Sequence, residues 1–263
     1  MSNRISKAFE NKKAFIGFLT AGDPTFDASY DNIMALINAG ADLVEIGIPF
    51  SDPIAEGVVI QEADVRALKG GMTTDRAFEL AAKVRSQTDI PLVFMTYLNP
   101  VFKYGYDRFF AKCAEIGIDG LICPDMPFEE KGEADSIAKA HGVSLISMIA
   151  PTSEERIKAI AESAEGFLYI VSSLGVTGIR SEIKTDLAAI MASVKKYARV
   201  PAAIGFGIST PEQAAKMARL ADGVIVGSAL VRLVAQYGEN AAAEISKLAK
   251  ELADAAHNSA NLA

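Results

Sequence analysis

Histidine, cysteine and tryptophan are scarce in this sequence. Its 263 residues include two histidines, two cysteines and no tryptophan. The cysteines are Cys113 and Cys123, and the histidines are His141 and His257. So few thiol and imidazole groups argue against a disulfide framework, a structural zinc site and a histidine-based catalytic triad. We therefore expect any chemistry to depend on other side chains, with no metal bound.

Positive charge is limited as well. The chain has 26 basic and 33 acidic residues, a net charge of −7, and its basic clusters do not exceed short pairs such as Lys195-Lys196. A nucleic-acid partner is not expected, because binding to a phosphate backbone depends on clustered Lys and Arg. No apolar run reaches the roughly 18 residues of a membrane helix, and the polar N-terminus lacks a targeting pattern. We predict a reduced, cytoplasmic globular protein.

Short apolar runs, typical of buried β-strands, recur along the whole chain. Between them, apolar residues fall at three- and four-residue spacing, for example Ile33, Leu36 and Ile37, which predicts amphipathic helices. Because nearly every run is apolar on both faces, the strands are predicted to be parallel and covered by helices. The eight runs are residues 14–19, 43–47, 92–97, 120–123, 144–149, 167–171, 201–205 and 223–226.

This order of elements predicts an α/β fold, a single-domain TIM (β/α)8 barrel over residues 1–263. A closing helix is expected at 239–256 and a polar tail at 257–263. A doubly wound open sheet is the alternative, although that fold more often has fewer strands and a glycine fingerprint after the first one. An unusually long segment separates the second and third strands, so we expect an enlarged loop after strand 2, on the catalytic face of the barrel.

Glu45 interrupts the otherwise apolar strand from Leu43 to Gly47. A buried carboxylate is costly, and burial would raise its pKa toward the range useful for proton transfer at neutral pH. Strand alternation puts Glu45 and Gly47 on one face, where the glycine leaves space beside the acid. The strand alone is equally compatible with a structural acid that is satisfied by backbone donors or a lysine.

The loop that follows, residues 49–57, contains two further carboxylates, Asp52 and Glu56, among turn-forming residues. Such a loop could close over a ligand and bring one of them to the site. The alternative is a solvated acidic turn, but the position of this loop in the enlarged unit favours a functional role.

Glycines follow each of the last three strands, as Gly175-Val176-Thr177-Gly178, Gly205-Phe206-Gly207-Ile208-Ser209 and Gly227-Ser228. TIM barrels bind phosphate at the loops after strands seven and eight, through backbone N–H groups that glycine lets a ligand approach. Glycine pairs also occur in ordinary tight turns. Three such segments at successive strand ends nevertheless predict a phosphate site that needs no basic side chain.

Four other residues carry weaker signals. Asp125 follows strand four and could face the site, but an Asp between prolines is more often a turn or cap residue. Tyr97 and Tyr169 could line an aromatic slot or simply pack in the core. His141 precedes a glycine at a predicted helix end, which favours a C-cap role.

The segment from Leu43 to Gly57, LVEIGIPFSDPIAEG, resembles the signature of the tryptophan synthase alpha subunit family. The similarity extends over nearly the whole chain and includes residues 18–24, 95–100, 175–178, 205–209 and 227–229. This resemblance implies a TIM-barrel lyase. The family cleaves indole-3-glycerol phosphate to indole and glyceraldehyde 3-phosphate by a retro-aldol reaction.

The resemblance also implies a role for each site residue. Glu45 would protonate the indole carbon that carries the side chain and assist loss of the glycerol hydroxyl proton, and Glu56 would accept the indole N–H proton. Thr177 would contact the Glu56 loop in a closed state. The matching phosphate-binding positions are Gly178, Gly207, Gly227 and Ser228. The matching positions of the apolar indole slot are Phe18, Ile60, Tyr97, Ile122, Tyr169 and Phe206.

One departure from the family pattern involves the second carboxylate. Many members have Asp-Gly-Pro where this chain has Glu56, Gly57 and Val58. Glutamate keeps a carboxylate of nearly equal intrinsic pKa and adds one methylene of reach, while Val58 removes a fixed φ and restores a backbone N–H. We interpret this as a repositioned loop that keeps the carboxylate in place.

The resemblance further implies a partner, a tryptophan synthase beta subunit, in a heterotetramer of two alpha and two beta subunits. Pyridoxal phosphate would belong to that partner, so this chain would carry no cofactor. Positions matching the contact surface are Asp52, Pro53, Asn99 to Tyr104 and Asp125 to Phe128.

Two alternatives remain open. One is another phosphate-binding barrel enzyme, such as an isomerase or the synthase that forms indole-glycerol phosphate, which would be expected to show a catalytic lysine at a strand end or metal-binding histidines. The other is a weakly active or inactive subunit that mainly activates its beta partner, favoured only by Glu56 and Val58.

Overall fold

Eight parallel strands form a closed barrel in which each strand pairs with the next in the chain and β8 pairs with β1. A computed structural model describes residues 4–171, 187–205 and 207–259. The predicted site residues Thr177, Gly178 and Phe206 lie outside these ranges. The strands are β1 (Ala14–Thr20), β2 (Leu43–Gly47), β3 (Leu92–Met95), β4 (Gly120–Ile122), β5 (Ser144–Ile149), β6 (Leu168–Val171), β7 (Ala202–Gly205) and β8 (Gly223–Val226).

Helices surround the barrel, which confirms the predicted TIM-barrel fold. Short 3₁₀ turns precede α7, at Phe128–Glu130, and α12, at Gly238–Asn240. None of the helices in the described part of the chain has the length and hydropathy of a membrane span. The helices are α1 (Arg4–Ala8), α2 (Phe26–Asn38), α3 (Val58–Lys69), α4 (Thr74–Arg85), α5 (Leu98–Tyr104), α6 (Tyr106–Ile116), α7 (Gly132–Ala140), α8 (Glu154–Glu162), α9 (Leu187–Tyr197), α10 (Pro211–Leu220), α11 (Ser228–Tyr237) and α12 (Ala242–His257).

The strands form where the sequence is apolar on both faces, because one face packs inside the barrel and the other under the helices. The predicted bounds of β2, β5 and β8 are confirmed, whereas other strands differ at their ends. β3 stops at Met95 because Tyr97 already serves as the N-cap of α5. β4 stops at Ile122, just before Cys123-Pro124, where the proline cannot donate to a ladder.

The enlarged unit after β2 consists of the loop 48–57 and an additional helix, α3, which precedes α4. Gly57 is the N-cap of α3, and its carbonyl accepts the N–H groups of Ile60 and Gln61. The buried face of α3 carries Ile60, Ala63, Asp64 and Ala67. The loop that ends at Glu56 is therefore attached to a helix that packs against the barrel.

The closing helix, α12, begins at Ala242, three residues later than expected. The chain first forms the 3₁₀ turn Gly238–Asn240, whose first residue has a φ of +56°. At its other end α12 extends to His257. His257 Nε2 lies 2.7 Å from Oδ2 of Asp42. This contact ties the last helix to the end of the barrel at which the strands begin.

Asp42, the acid in this contact with His257, is buried. Its carboxylate accepts the Phe15 N–H at 2.8 Å and also contacts Lys12 Nζ. Burial alone would raise the pKa of Asp42, but the contacts with His257, Lys12 and Phe15 outweigh burial and hold it below its ordinary value. The ionised form thus stabilises the fold.

We predict that Asp42→Asn lowers the free energy of unfolding by about 2 kcal/mol at pH 7, because the variant loses charged hydrogen bonds to Lys12 and His257. A lowered carboxyl pKa gives stability that is present above the ordinary value and lost as the pH falls through the lowered one. The difference from wild type should therefore shrink below about pH 4. Urea unfolding at several pH values measures this difference.

Asp27→Asn is the matched control, since the Asp27 side chain is 86% exposed and pairs with Lys83 on the surface. Its expected effect is below about 1 kcal/mol. Equal losses in the two variants would contradict the role of Asp42.

Candidate active site

Glu45 occupies the middle of β2 and is 1% exposed. Its neighbours across the sheet are Phe18 on β1 and Val93 on β3. Oε1 of Glu45 has no hydrogen-bond partner among the described residues. This observation favours a functional acid over a structural acid whose oxygens are both hydrogen-bonded. Burial, with a smaller contribution from the charge of Glu56, raises the pKa of Glu45 to about 8. The carboxyl is thus suited to carry a proton at neutral pH.

Gly47 follows Glu45 on the same face of β2, as strand alternation predicts. A Cβ atom at this position would lie 2.6 Å from the Phe18 ring. The same ring packs against Gly227, where an added Cβ would lie 3.3 Å from Cβ of Phe18. The space left by these two glycines is therefore occupied by the aromatic ring, which lies between the Glu45 strand and the turn after β8.

Glu56 ends the loop after β2 and is 5% exposed. Gln61 Nε2 donates to the Glu56 carbonyl at 2.8 Å, and the adjacent Ala55 N–H donates to the Tyr97 hydroxyl at 2.9 Å. The Tyr97 ring in turn stacks on Phe50, with 5.4 Å between ring centroids. The side chains of Tyr97, at the start of α5, and Gln61, on α3, thus hold the backbone around Glu56. Asp52, the other acid of the loop, is exposed.

One cavity of about 40 Å³ contains both glutamates. A space of this size holds a few water molecules at most. Eight predicted site residues line it, and these are Phe18, Glu45, Glu56, Ile60, Tyr169, Gly207, Gly227 and Ser228. Two predicted residues, Tyr97 and Ile122, are buried but are not among the residues that line it. Three lining residues were not predicted, namely Met95, Ile208 and Ile225.

Tyr169 lies on β6 beside both acids. Burial, together with the negative charges of Glu45 and Glu56, raises the pKa of its hydroxyl well above the ordinary value. A Cβ atom at Gly205 would come within 2.5 Å of this hydroxyl oxygen. Gly205 therefore makes room for the tyrosine, a role separate from that of the glycines beside it in sequence.

Backbone from two turns forms another part of the cavity lining. Gly207 follows β7 with φ of +79°, a conformation that favours glycine. Gly227 is the N-cap of α11 and offers no side chain to the first turn of that helix, so its leading N–H groups have no side-chain cap. Helix N-termini of this kind attract anions. The described lining contains no lysine or arginine, which fits recognition by backbone.

Asp64 is a third buried acid near the site, and it was not predicted from the sequence. It accepts the Phe50 N–H, yet burial, followed by the charges of Glu56 and Asp23, raises its pKa to about 8. Asp23 itself is paired with Arg66 through two hydrogen bonds of 2.8 Å. The spacing of Ile60, Asp64 and Ala67 on one helical face was the signal that would have revealed a buried Asp64.

Two weaker candidates have local structural roles. Asp125 Oδ1 accepts the N–H of Leu98, the first residue of α5, at 2.8 Å, which confirms the cap interpretation. His141 is the C-cap of α7. The described residues contain no cluster of His, Cys, Asp or Glu suited to a metal ion. The chemical groups of this site are thus two buried carboxyls that line one small cavity, an arrangement suited to acid and base roles.

Comparison with known proteins gives a consistent result. A family model described as "Tryptophan synthase alpha chain" matches residues 5–261. A tryptophan synthase alpha chain of Lacticaseibacillus casei is 49% identical over 252 residues, covering 96% of this chain and 95% of the relative. The crystal structure of a tryptophan synthase alpha chain from Legionella pneumophila has a TM-score of 0.88 at 36% identity and covers 98% of both chains. A chain of the tryptophan synthase complex from Pyrococcus furiosus has a TM-score of 0.85 at 36% identity, with 92% of this chain and 98% of that chain covered.

Proposed function

The chain belongs to the tryptophan synthase alpha chain family, and from this premise we propose that it is a lyase that cleaves indole-3-glycerol phosphate to indole and glyceraldehyde 3-phosphate. The observation that carries the proposal is the pair of buried glutamates, Glu45 and Glu56, in one cavity that the Gly207 and Gly227 turns also line. Acid–base groups and an anion-binding backbone thus border the same space, where a phosphate ester would lie.

In the first step, protonated Glu45 donates its proton to the indole carbon that carries the glycerol side chain. Ionised Glu56 removes the N–H proton, so the ring becomes the tautomer in which the bond to the side chain can break. A raised pKa supports this assignment, because Glu45 begins the reaction protonated.

In the second step, ionised Glu45 removes the proton of the side-chain hydroxyl next to the ring. The carbon–carbon bond then breaks, its electron pair returns to the ring, and the ring nitrogen regains a proton from Glu56. The products are indole and glyceraldehyde 3-phosphate, and both glutamates return to their initial protonation states. The phosphate remains on the N–H groups of Gly207, Gly227 and Ser228, which hold the reacting carbons against the acids.

The partner is a tryptophan synthase beta subunit, which receives the indole for tryptophan synthesis. Two apolar side chains support a contact surface on this face of the barrel, since Ile54 is 76% and Phe102 is 66% exposed. Ile54 lies in the loop that carries Glu56 and Phe102 lies in α5, so partner binding would contact that loop directly. Pyridoxal phosphate belongs to the partner and supplies the chemistry that joins indole to serine. The reduced, buried thiols of Cys113 and Cys123 accord with a cytoplasmic location.

The test is an assay for glyceraldehyde 3-phosphate released from indole-glycerol phosphate, with and without a beta subunit from a relative. We expect release that increases when the beta subunit is added. The competing hypothesis, a subunit that only activates its partner, predicts stimulation of the beta reaction from free indole and serine without any release of the phosphate product. That outcome would exclude the lyase function.

A further inference from the structure

Gln213, in the first turn of α10, makes more hydrogen bonds than a helix cap requires. Its side chain and that of Thr210 form a capping box. In addition, Oε1 of Gln213 accepts the Ser209 N–H at 2.8 Å and the Ser209 hydroxyl at 3.1 Å. Capping explains the contacts with Thr210, at 3.3 Å each. It does not explain the two contacts with Ser209, which lies outside the cap.

The two contacts with Ser209 fix the turn after β7, which lines the cavity through Gly207 and Ile208. Ser209 is two residues from Gly207 and directly follows Ile208, and both of these residues line the cavity that contains Glu45 and Glu56. Gly207 adopts a positive φ, and glycine has more accessible backbone conformations than other residues. Fixing Ser209 therefore restricts the conformations open to the Gly207–Ile208 segment.

We propose that Gln213 is a positioning residue for the substrate phosphate. By accepting the Ser209 and Thr210 N–H groups, it holds the turn so that the preceding backbone of Gly207 and Ile208 is in place at the cavity before the phosphate arrives. This inference rests on the proposed function and deepens it. It assigns the rigidity of the phosphate site to the side chain of Gln213, which does not itself line the cavity.

The chemistry of the side chain suits this task. An amide oxygen accepts the N–H and O–H groups of the turn without adding a negative charge next to a phosphate dianion. A carboxylate at the same position would cap α10 equally well but would repel the ligand. The structure thus has a neutral acceptor at the position where a charged one would be harmful.

The test is Gln213→Ala in the full chain with its beta partner present. We expect the KM for indole-glycerol phosphate and the dissociation constant of glycerol 3-phosphate each to rise about tenfold, because the turn loses two hydrogen bonds that pre-order it. The value of kcat and the affinity for indole should remain within about twofold of wild type. Calorimetry with glycerol 3-phosphate and with indole separates the two ligands.

Thr73→Ala is the matched control, because the Thr73 hydroxyl caps α4 through the Arg76 N–H and Thr73 is not among the residues that line the cavity. Both variants should lose similar thermal stability, but only Gln213→Ala should lose phosphate affinity. Unchanged glycerol 3-phosphate binding in Gln213→Ala, or an equal loss of binding to indole, would overturn the inference. Absence of phosphate binding and of lyase activity in the wild type would instead overturn the proposed function, and this inference with it.

Discussion

Glu45→Gln is expected to lower the rate of glyceraldehyde 3-phosphate release by about three orders of magnitude. Glutamine has nearly the same shape but can neither donate a proton to the indole carbon nor take one from the hydroxyl. Because the phosphate turns are unaffected, glycerol 3-phosphate should bind as it does to wild type. Single-turnover measurements of product release, together with calorimetry, test both parts. Release at the wild-type rate would show that another group moves the proton.

The same variant should become more stable relative to wild type as the pH rises. The folded-state pKa of Glu45 is about 8, well above the ordinary glutamate value, so the folded state loses stability as the pH rises from about 4 toward 8. Glutamine does not ionise, and the variant avoids this loss. Urea unfolding should therefore show Glu45→Gln to be more stable than wild type by a few kcal/mol at pH 9, as an order of magnitude, with a much smaller difference at pH 5. A difference that does not depend on pH would contradict the raised pKa.

Glu56→Gln is expected to reduce turnover by about two to four orders of magnitude, with phosphate binding preserved. The amide cannot take the indole N–H proton, so the ring cannot reach the tautomer that breaks its bond to the side chain. Glu62→Gln is the matched control, because Glu62 is an exposed acid on the neighbouring helix and undergoes the same chemical change. Wild-type turnover in Glu56→Gln would remove this residue from the mechanism.

A shorter acid at the same position tests how the loop is built. Glu56→Asp restores the residue that is common in the family but places its carboxylate one methylene further from the cavity. Gln61 and Tyr97 hold the backbone of this loop in place, so the loop cannot easily compensate. We expect Glu56→Asp to retain measurable activity between that of wild type and that of Glu56→Gln.

The barrel was predictable because its strands are apolar on both faces, and Glu45 was predictable because it breaks one of them. The role of Tyr97 was not predictable, because the apolar run that predicts the third strand continues through residue 97 in the sequence. In the structure the strand stops at Met95 and the tyrosine hydroxyl instead binds the backbone of the Glu56 loop. Met95 and Ile225 were accessible to the same alternation rule, since both lie near the ends of strands.

Asp64 and Gln213 show a different limit of sequence reasoning. Each lies on a helix, where the spacing of apolar residues indicates which face is buried but does not reveal which backbone donor a polar side chain meets. The Phe50 and Ser209 N–H groups come from loops that precede these helices, and only the folded chain brings them together.

The cavity of about 40 Å³ has a kinetic consequence. An aromatic phosphate ester is far larger than this space, so the Phe18 ring or the surrounding loops must move before the substrate can enter. Binding then proceeds through a minor, open population, and the observed association rate becomes limited by opening at high substrate concentration rather than by diffusion. Until the site opens, the same narrowness keeps bulk water from the two acids, which are 1% and 5% exposed.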